Sequence, residues 1–527
     1  MTAALLRLAL PLACLLCAGA GPPAQVHLAY AVTHDGMRVA WSTPGSPLQP
    51  ADTFVQWGTS PSQLDRRANG SATAFTQDAG RTWTQHVAEM TALPITEPTR
   101  IFYRVGGPGS GWTEPTSFVT NRGSAAQRVC WVGDMGTPFS HALCPACSNT
   151  TELCACGNST LGLVSEAARG TAAIIHVGDL AYDLASNAGT RGDHFMQNME
   201  QVAAQVPYHV AMGNHESFQN YAHYTERFRH MPANGTGAVI TDNGQAPNNW
   251  FYSYDSGLVH YVAVSTELYF HPERLAHGAE RQITWLRADL AAADDNRKAV
   301  PWIIVFGHRP LYNGNCPKGE CSPNVGGPLV TGGCAQCCVD PGKCSACCPG
   351  NASTVPALEP LFHAFGVDIY VGGHVHDYER MYDVWRGQTS RRTVDMRATT
   401  YITTGDGGSD EGTGGAPFFP PRSSAFRSNA AGYSVMTVAN GTHLRWQQVQ
   451  TDPVQMPAYG KVIDDVWLVQ HNHGPFAQRT AETVAETENK ACLVHDVGSG
   501  RVWNTSLPPP VGLEPRPPVP GGGHDNW

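Results

Sequence analysis

Apolar residues recur in short alternating runs along the N-terminal part of the chain, over residues 26–30, 37–41, 53–57 and 100–105, separated by breaks rich in Gly, Pro, Ser and Asp. Runs of that length and spacing predict the strands of a small β-sandwich of roughly a hundred residues. No cluster of His, Asp or Cys falls inside it, so it reads as a packing or spacer domain over 22–121. After a linker at 121–127 the rhythm becomes strand, helix, strand. Strands are predicted over 128–132, 172–177, 208–212, 302–306 and 367–371, and helices over 161–169, 193–205, 280–293 and 358–364. In the third of these helices Ile283, Leu286 and Leu290 mark one apolar face. A hairpin is predicted within 249–267 around Asp255-Ser256-Gly257, and further strands over 401–404, 433–438 and 443–449. Such alternation implies a largely parallel sheet covered by helices. The expected fold class is an all-β N-terminal sandwich followed by an α/β domain over 127–450. An extension over 451–506 is expected to pack on that domain, and the Pro- and Gly-rich residues 507–527 to be extended or disordered.

Composition narrows the function. The 527 residues are 42% hydrophobic and 15% charged, enough apolar material for a sizeable core. With a formal net charge of −10 the chain lacks the basic face of a nucleic-acid binder, whereas small anions held by metals remain acceptable ligands. Residues 1–20 combine Arg7, an apolar run over 8–17 and Ala18-Gly19-Ala20, which predicts a secretory leader. The run is too short to span a bilayer comfortably, and no other stretch is long and apolar enough, so no membrane anchor is expected. Fourteen cysteines remain beyond the leader, and Asn-x-Ser/Thr acceptors stand at Asn69, Asn149, Asn158, Asn234, Asn351, Asn440 and Asn504. Both features suit a secreted or extracellular glycoprotein, in a cell wall or a vacuole-like compartment. Eight cysteines crowd an insertion at 313–354, where Cys334-x-x-Cys337-Cys338 and Cys344-x-x-Cys347-Cys348 admit zinc but favour disulfides in an oxidising compartment. Cys144, Cys147, Cys154 and Cys156 suggest a second knot, which leaves Cys130 and Cys492 paired or free.

The candidate chemistry sits where the predicted strands end. Gly133-Asp134-Met135-Gly136, Gly178-Asp179-Leu180-Ala181-Tyr182, Gly213-Asn214-His215-Glu216, Gly307-His308 and Gly373-His374-Val375-His376 each follow an apolar run. Open α/β sheets gather their ligands at that edge. Singly, each segment has a structural alternative, since Asp and Asn are common turn residues and a histidine at a strand end can simply be hydrogen-bonded. Together, Asp134, Asp179, Tyr182, Asn214, His308, His374 and His376 offer the O and N donors that two ions need when one carboxylate is shared.

These five segments resemble the metal-binding blocks of purple acid phosphatases, within the calcineurin-like metallophosphoesterases, over about residues 128–449. The chain looks like the large plant and fungal type with a fibronectin-III-like N-terminal domain, and the resemblance implies a four-layer αββα catalytic domain. Gly136 and Tyr182 discriminate within that superfamily: most relatives resemble Asp-x-His in the first block and have no tyrosine after the second. A phenolate favours a trivalent ion. The resemblance thus implies Fe³⁺ on Asp134, Asp179, Tyr182 and His376, and a divalent Fe, Zn or Mn on Asp179, Asn214, His308 and His374. The implied activity is that of an acid phosphatase, hydrolysing small phosphate monoesters by in-line attack of a metal-bound hydroxide. His215 would then contact the phosphate and protonate the leaving oxygen. A phosphodiesterase or nucleotide pyrophosphatase on the same centre and a catalytically silent extracellular binding protein are the alternatives. Plant members carry further histidines after the His308 strand, whereas here that place reads Tyr312-Asn313-Gly314-Asn315-Cys316. His271, His277 and Glu267 are the candidates to replace them.

Overall fold

The computed structural model describes residues 21–44, 53–76, 80–123, 126–137, 156–168, 170–232, 238–241, 244–270, 278–316, 320–321, 327–332, 356–409, 411–412, 414, 421–451, 460–478, 493–496 and 501–504. The leader, the tail, Cys492, most of the cysteine-rich insertion and the acceptors Asn149, Asn234 and Asn351 lie outside them. Asn69 and Asn440 are exposed.

The N-terminal part is a pair of antiparallel sheets. One has the order Ala24–Tyr30, Met37–Pro44, Thr82–Met90, Ser71–Thr76. The other runs Arg66–Asn69, Phe54–Gly58, Thr99–Gly107, Gly111–Trp112, with Thr116–Thr120 also paired to Thr99–Gly107. Inward residues of both, among them Trp41, Val39, Val55, Tyr103 and Phe118, form the core.

Two further sheets follow. The first has the order Tyr208–Val210, Ala173–His176, Gln127–Val132, Gly432–Val438, His443–Gln450, Val462–Val469; its first three strands are parallel and the rest antiparallel. The second begins Tyr252–Ser256, Val259–Ala263, Trp302–Phe306, Ile369–Gly372, Thr399–Thr404, parallel from Val259–Ala263 onward, and continues into Tyr378–Trp385 and Ser424–Ser428. Trp131 of the first sheet lies between them, its ring centroid 5.8 Å from Phe306 and 6.3 Å from Tyr261 of the second. Helix Cys156–Ala167 packs on Gly432–Val438 of the first sheet and on helix Thr190–Ala203, which also packs against Ala24–Tyr30 of the sandwich, while helices Gly278–Asp295 and Leu358–Phe365 pack on each other. Strands covered on both faces need to be apolar throughout, and Trp302–Phe306 is buried at every residue.

The two parts meet across a polar, buried seam. Tyr30 Oη donates to Ala172 O at 2.7 Å, Tyr103 Oη to Ala204 O at 2.7 Å, and Arg122 Nε to Asp255 O at 2.9 Å. Arg227 pairs with Asp193 at 2.9 Å and donates to Gln25 Oε1 at 3.0 Å. Several strands escaped the periodicity reading, among them Tyr378–Trp385, Ser424–Ser428 and Val462–Val469, and in the sandwich Arg66–Asn69, Ser71–Thr76, Thr82–Met90 and Thr116–Thr120. The first reads as polar because Glu379, Arg380 and Asp383 are buried within it. Those charges are compensated by distant partners, Arg380 by Asp464 at 2.7 Å and Glu379 by Arg427 at 3.5 Å.

Candidate metal centre

Parallel pairing puts the strand ends of each sheet at one level: Val132 is in register with His176 and His176 with Val210, while Phe306 is in register with Val371. The loops that follow converge, so Asp134, Asp179, Tyr182 and Asn214 arrive from the first sheet and His308, His374 and His376 from the second. Four of these residues, Asp134 (φ 55°), Asp179 (φ 51°), Tyr182 (φ 49°) and His374 (φ 69°), hold left-handed backbone, which costs a non-glycine residue about 1–3 kcal/mol. Such strain persists only where surroundings enforce it. Here His374 N donates to Asp134 Oδ2 and His215 N to Asp179 Oδ1, both at 2.9 Å. Glycines permit the crowding: Gly178 has φ 92°, and a Cβ on Gly213 would strike Asp179 Oδ1.

The donors form two groups. Tyr182 Oη lies 2.7 Å from His376 Nε2 and 3.2 Å from Asp134 Oδ1. His308 Nε2 lies 3.0 Å from both Asp179 Oδ2 and Asn214 Oδ1, and ligand atoms of Asp179, His308 and His374 all fall within 4.8 Å of one another. Each imidazole is turned by a contact at its outer nitrogen: His308 Nδ1 on Val177 O at 2.9 Å, His376 Nδ1 on Gly412 O at 2.8 Å, and His374 Nε2 on Glu320 at 2.8 Å. The inner nitrogens thereby face the centre as lone-pair donors. His374 Nδ1 is buried with no hydrogen-bond partner, as a metal-ligating nitrogen would be without its ion.

Electrostatics agree with a cation site. Asp134 and Asp179 are buried, and neither meets a Lys or Arg side chain among the described residues. Burial alone would raise Asp179, but His308 and His215 hold it well below the usual carboxylate range. In turn, burial opposes the charge on His308, yet Asp179 and Asp134 raise it to about 9. Burial, Asp134 and Asp179 push the Tyr182 phenol well above its ordinary value, so a phenolate there needs a cation opposite it. Hard oxygens and imidazoles in this number suit Fe, Zn or Mn.

His215 stands at the rim, outside the three-residue group. Its Nδ1 is 2.9 Å from Asp183, its Nε2 is 3.5 Å from Glu411, and its ring lies over Tyr182 with centroids 4.3 Å apart. Burial lowers its pKa, but Asp179, Asp183 and Glu411 together raise it to about 10. Glu267 is not available as a replacement acid: it is buried and pairs with Arg309 at 2.8 Å. His271 and His277 lie outside the described residues. Sequence reasoning also missed Glu216, whose carboxylate accepts from the backbone N–H of Asp179 (3.0 Å), Leu180 (2.9 Å) and Gly213 (2.8 Å) and so ties two site loops together. Its place directly after Gly213-Asn214-His215 was the one signal. Of the cysteines, Cys130 is free and buried, and Cys316 is bonded to Cys321.

Comparison with known proteins gives the same reading. Three family descriptions match in turn: Purple acid Phosphatase, N-terminal domain, over residues 23–120; Calcineurin-like phosphoesterase over 128–378; and Iron/zinc purple acid phosphatase-like protein C over 398–465. The chain is 31% identical over 456 residues to acid phosphatase type 7 of Homo sapiens, covering 85% of this chain and 91% of that one. It is 33% identical over 473 residues to acid phosphatase type 7 of Danio rerio, covering 87% and 93%. A purple acid phosphatase from yellow lupin seeds shares the fold with a TM-score of 0.64 at 20% identity, covering 89% of this chain and 78% of that one. With that identity across nearly its whole described length, and with the donor set gathered at the sheet edges, the chain belongs to the purple acid phosphatases, among the calcineurin-like phosphoesterases.

Proposed function

We propose that the chain is a secreted purple acid phosphatase that hydrolyses phosphate monoesters at a dinuclear Fe(III)–M(II) centre. The observation that carries this reading is the Tyr182 phenol, 2.7 Å from His376 Nε2 and 3.2 Å from Asp134 Oδ1. Asp134, Tyr182 and His376 would hold the trivalent ion, Asn214, His308 and His374 a divalent Fe, Zn or Mn, and Asp179 both. The two cations held there would supply Lewis acidity toward the phosphoryl oxygens and an acidified water. The protein's own groups do the remainder. Asp183 accepts from His215 Nδ1 and leaves Nε2, 3.5 Å from Glu411, as the nitrogen whose proton would pass to the leaving oxygen. Glu411 lies on the same side and helps keep that imidazole charged. Secretion is supported by the leader at residues 1–20, the Asn acceptors and the Cys316–Cys321 bond.

The test is elemental analysis and a visible spectrum of the protein secreted by a producing cell, followed by turnover at acid pH on an aryl phosphate monoester and its bis-ester. One iron and one divalent ion per chain, a tyrosinate-to-iron band and faster monoester cleavage are expected. A colourless protein, or faster cleavage of the bis-ester, overturns the reading.

A further inference from the structure

We infer that Glu320 is a positioning residue for the divalent site, held in place by the Cys316–Cys321 disulfide. This rests on the dinuclear reading above but concerns residues outside its ligand set. Glu320 Oε2 lies 2.8 Å from His374 Nε2 and also contacts Arg309 Nη1. Arg309 is fixed in turn by two contacts to Glu267, at 2.8 and 3.2 Å. Arg309 Nη1 also lies 3.0 Å from His374 Nε2, and it is the tautomer with its proton on Nε2 that lets this nitrogen donate to the Glu320 carboxylate. That tautomer leaves Nδ1 as the lone-pair donor, and Nδ1 is the buried atom with no hydrogen-bond partner. The carboxylate therefore favours the tautomer with Nδ1 free for a metal and, together with Arg309, sets the ring angle.

The disulfide transmits the position of the second sheet to Glu320. Residues just before Cys316 are pinned to that sheet's edge: Asn313 Nδ2 donates to Asp377 Oδ1 at 3.0 Å, Gly314 N to Glu379 Oε2 at 2.6 Å, and Asn315 Nδ2 to Asp377 Oδ2 at 2.8 Å. Cys316 bonds Cys321, and Glu320 is the residue before it. Asp377 itself follows His376 in the chain. One short path, a disulfide followed by hydrogen bonds to Asp377, thus links the loop carrying His374 and His376 to the carboxylate that orients His374.

The experiment compares the full-length secreted protein with Glu320→Gln and with the double variant Cys316→Ser, Cys321→Ser. Divalent-metal release into a chelator is followed by elemental analysis, with the visible band recorded on the same samples. Loss of such an outer partner weakens metal retention by about 10–100-fold. Glu320→Gln is expected to release its divalent ion faster by that factor while keeping its iron, its visible band and its melting profile. The double variant should shift the same way, by less. Wild type with two metals and variants that release neither faster would overturn the inference alone. Equal loss of iron and divalent ion, or lowered turnover with both metals retained, would also overturn it, the latter by making Glu320 a substrate contact. A wild type lacking the second metal would overturn the dinuclear reading, and this inference with it.

Discussion

Replacing Glu216 tests whether the catalytic edge is built by one buried carboxylate. In the structure Oε2 accepts from Asp179 N and Gly213 N, and Oε1 from Leu180 N, all within 2.8–3.0 Å in a buried site. Glu216→Ala leaves three buried N–H groups without an acceptor, and each such loss costs about 1–3 kcal/mol. The loops can recover part of this by opening to water, so about 3–6 kcal/mol of local stability is at stake. Glu216→Gln can place its carbonyl oxygen where Oε2 was, keeping two of the three bonds and turning its amide toward Leu180 N–H. That variant should lose about 1–3 kcal/mol. Read by hydrogen exchange on peptides spanning 176–182 and 210–217, the alanine variant should exchange roughly 10²–10⁴-fold faster and the glutamine variant roughly 10–10²-fold, at tenfold per 1.4 kcal/mol. Peptides from the N-terminal sandwich serve as the control and should not change. Equal protection in all three proteins would refute the argument, as would a change spread evenly over the chain.

Three further outcomes are expected. Tyr182→Phe removes one oxygen while keeping the ring against His215, so the visible band should vanish with the far-ultraviolet dichroism unchanged; a retained band would remove iron from the assignment. His215→Ala should lower turnover about 10²–10⁴-fold with both metals retained, as loss of a general acid does; metal loss would make the residue structural. His223 is buried beneath Phe75 and Trp83 of the sandwich and accepts from Arg227, and burial with Arg227 and Arg81 nearby lowers its pKa to about 2. A depressed histidine stabilises the fold in its neutral form, so stability falls as pH drops below the unfolded value near 6.5, by about 2 kcal/mol at pH 5. Denaturant titrations at pH 7 and pH 5 should show that loss in wild type and a smaller one in His223→Gln; equal losses would refute it.

How far the sequence reveals such a site depends on the range of the contacts involved. Trp302–Phe306 was readable to the residue, because a strand buried on both faces is apolar throughout. The donors that follow such strands were readable for the same reason: an apolar run ending in Gly and then Asp, Asn or His announces a strand end. The groups that orient those donors carry no comparable signal. Glu216 acts on Asp179 from 37 positions away, and Glu320 on His374 from 54. Nothing in local spacing or periodicity encodes pairings that only the packed sheets create. Tyr378–Trp385 was missed on the same grounds, since its buried charges are neutralised by residues as distant as Asp464.

The division of the donors between the two sheets gives the centre a mechanical meaning as well as a chemical one. Asp134, Asp179, Tyr182 and Asn214 follow strands of the first sheet, and His308, His374 and His376 follow strands of the second. Four direct polar contacts among these side chains bridge that division: Tyr182 to His376, Asp134 to His376, Asp179 to His308 and Asn214 to His308. Behind them the sheets are joined by Trp131 and its aromatic neighbours, which resist separation but set no angle between donor atoms. Orientation comes instead from outer supports: Glu216 within the first sheet's loops, Glu320 and Gly412 O beside the second's, and Val177 O, which reaches His308 across the division. The two sets of ligands are thus stiffened by supports both within and across the division, and cations bound between them would close the edge where the sheets meet.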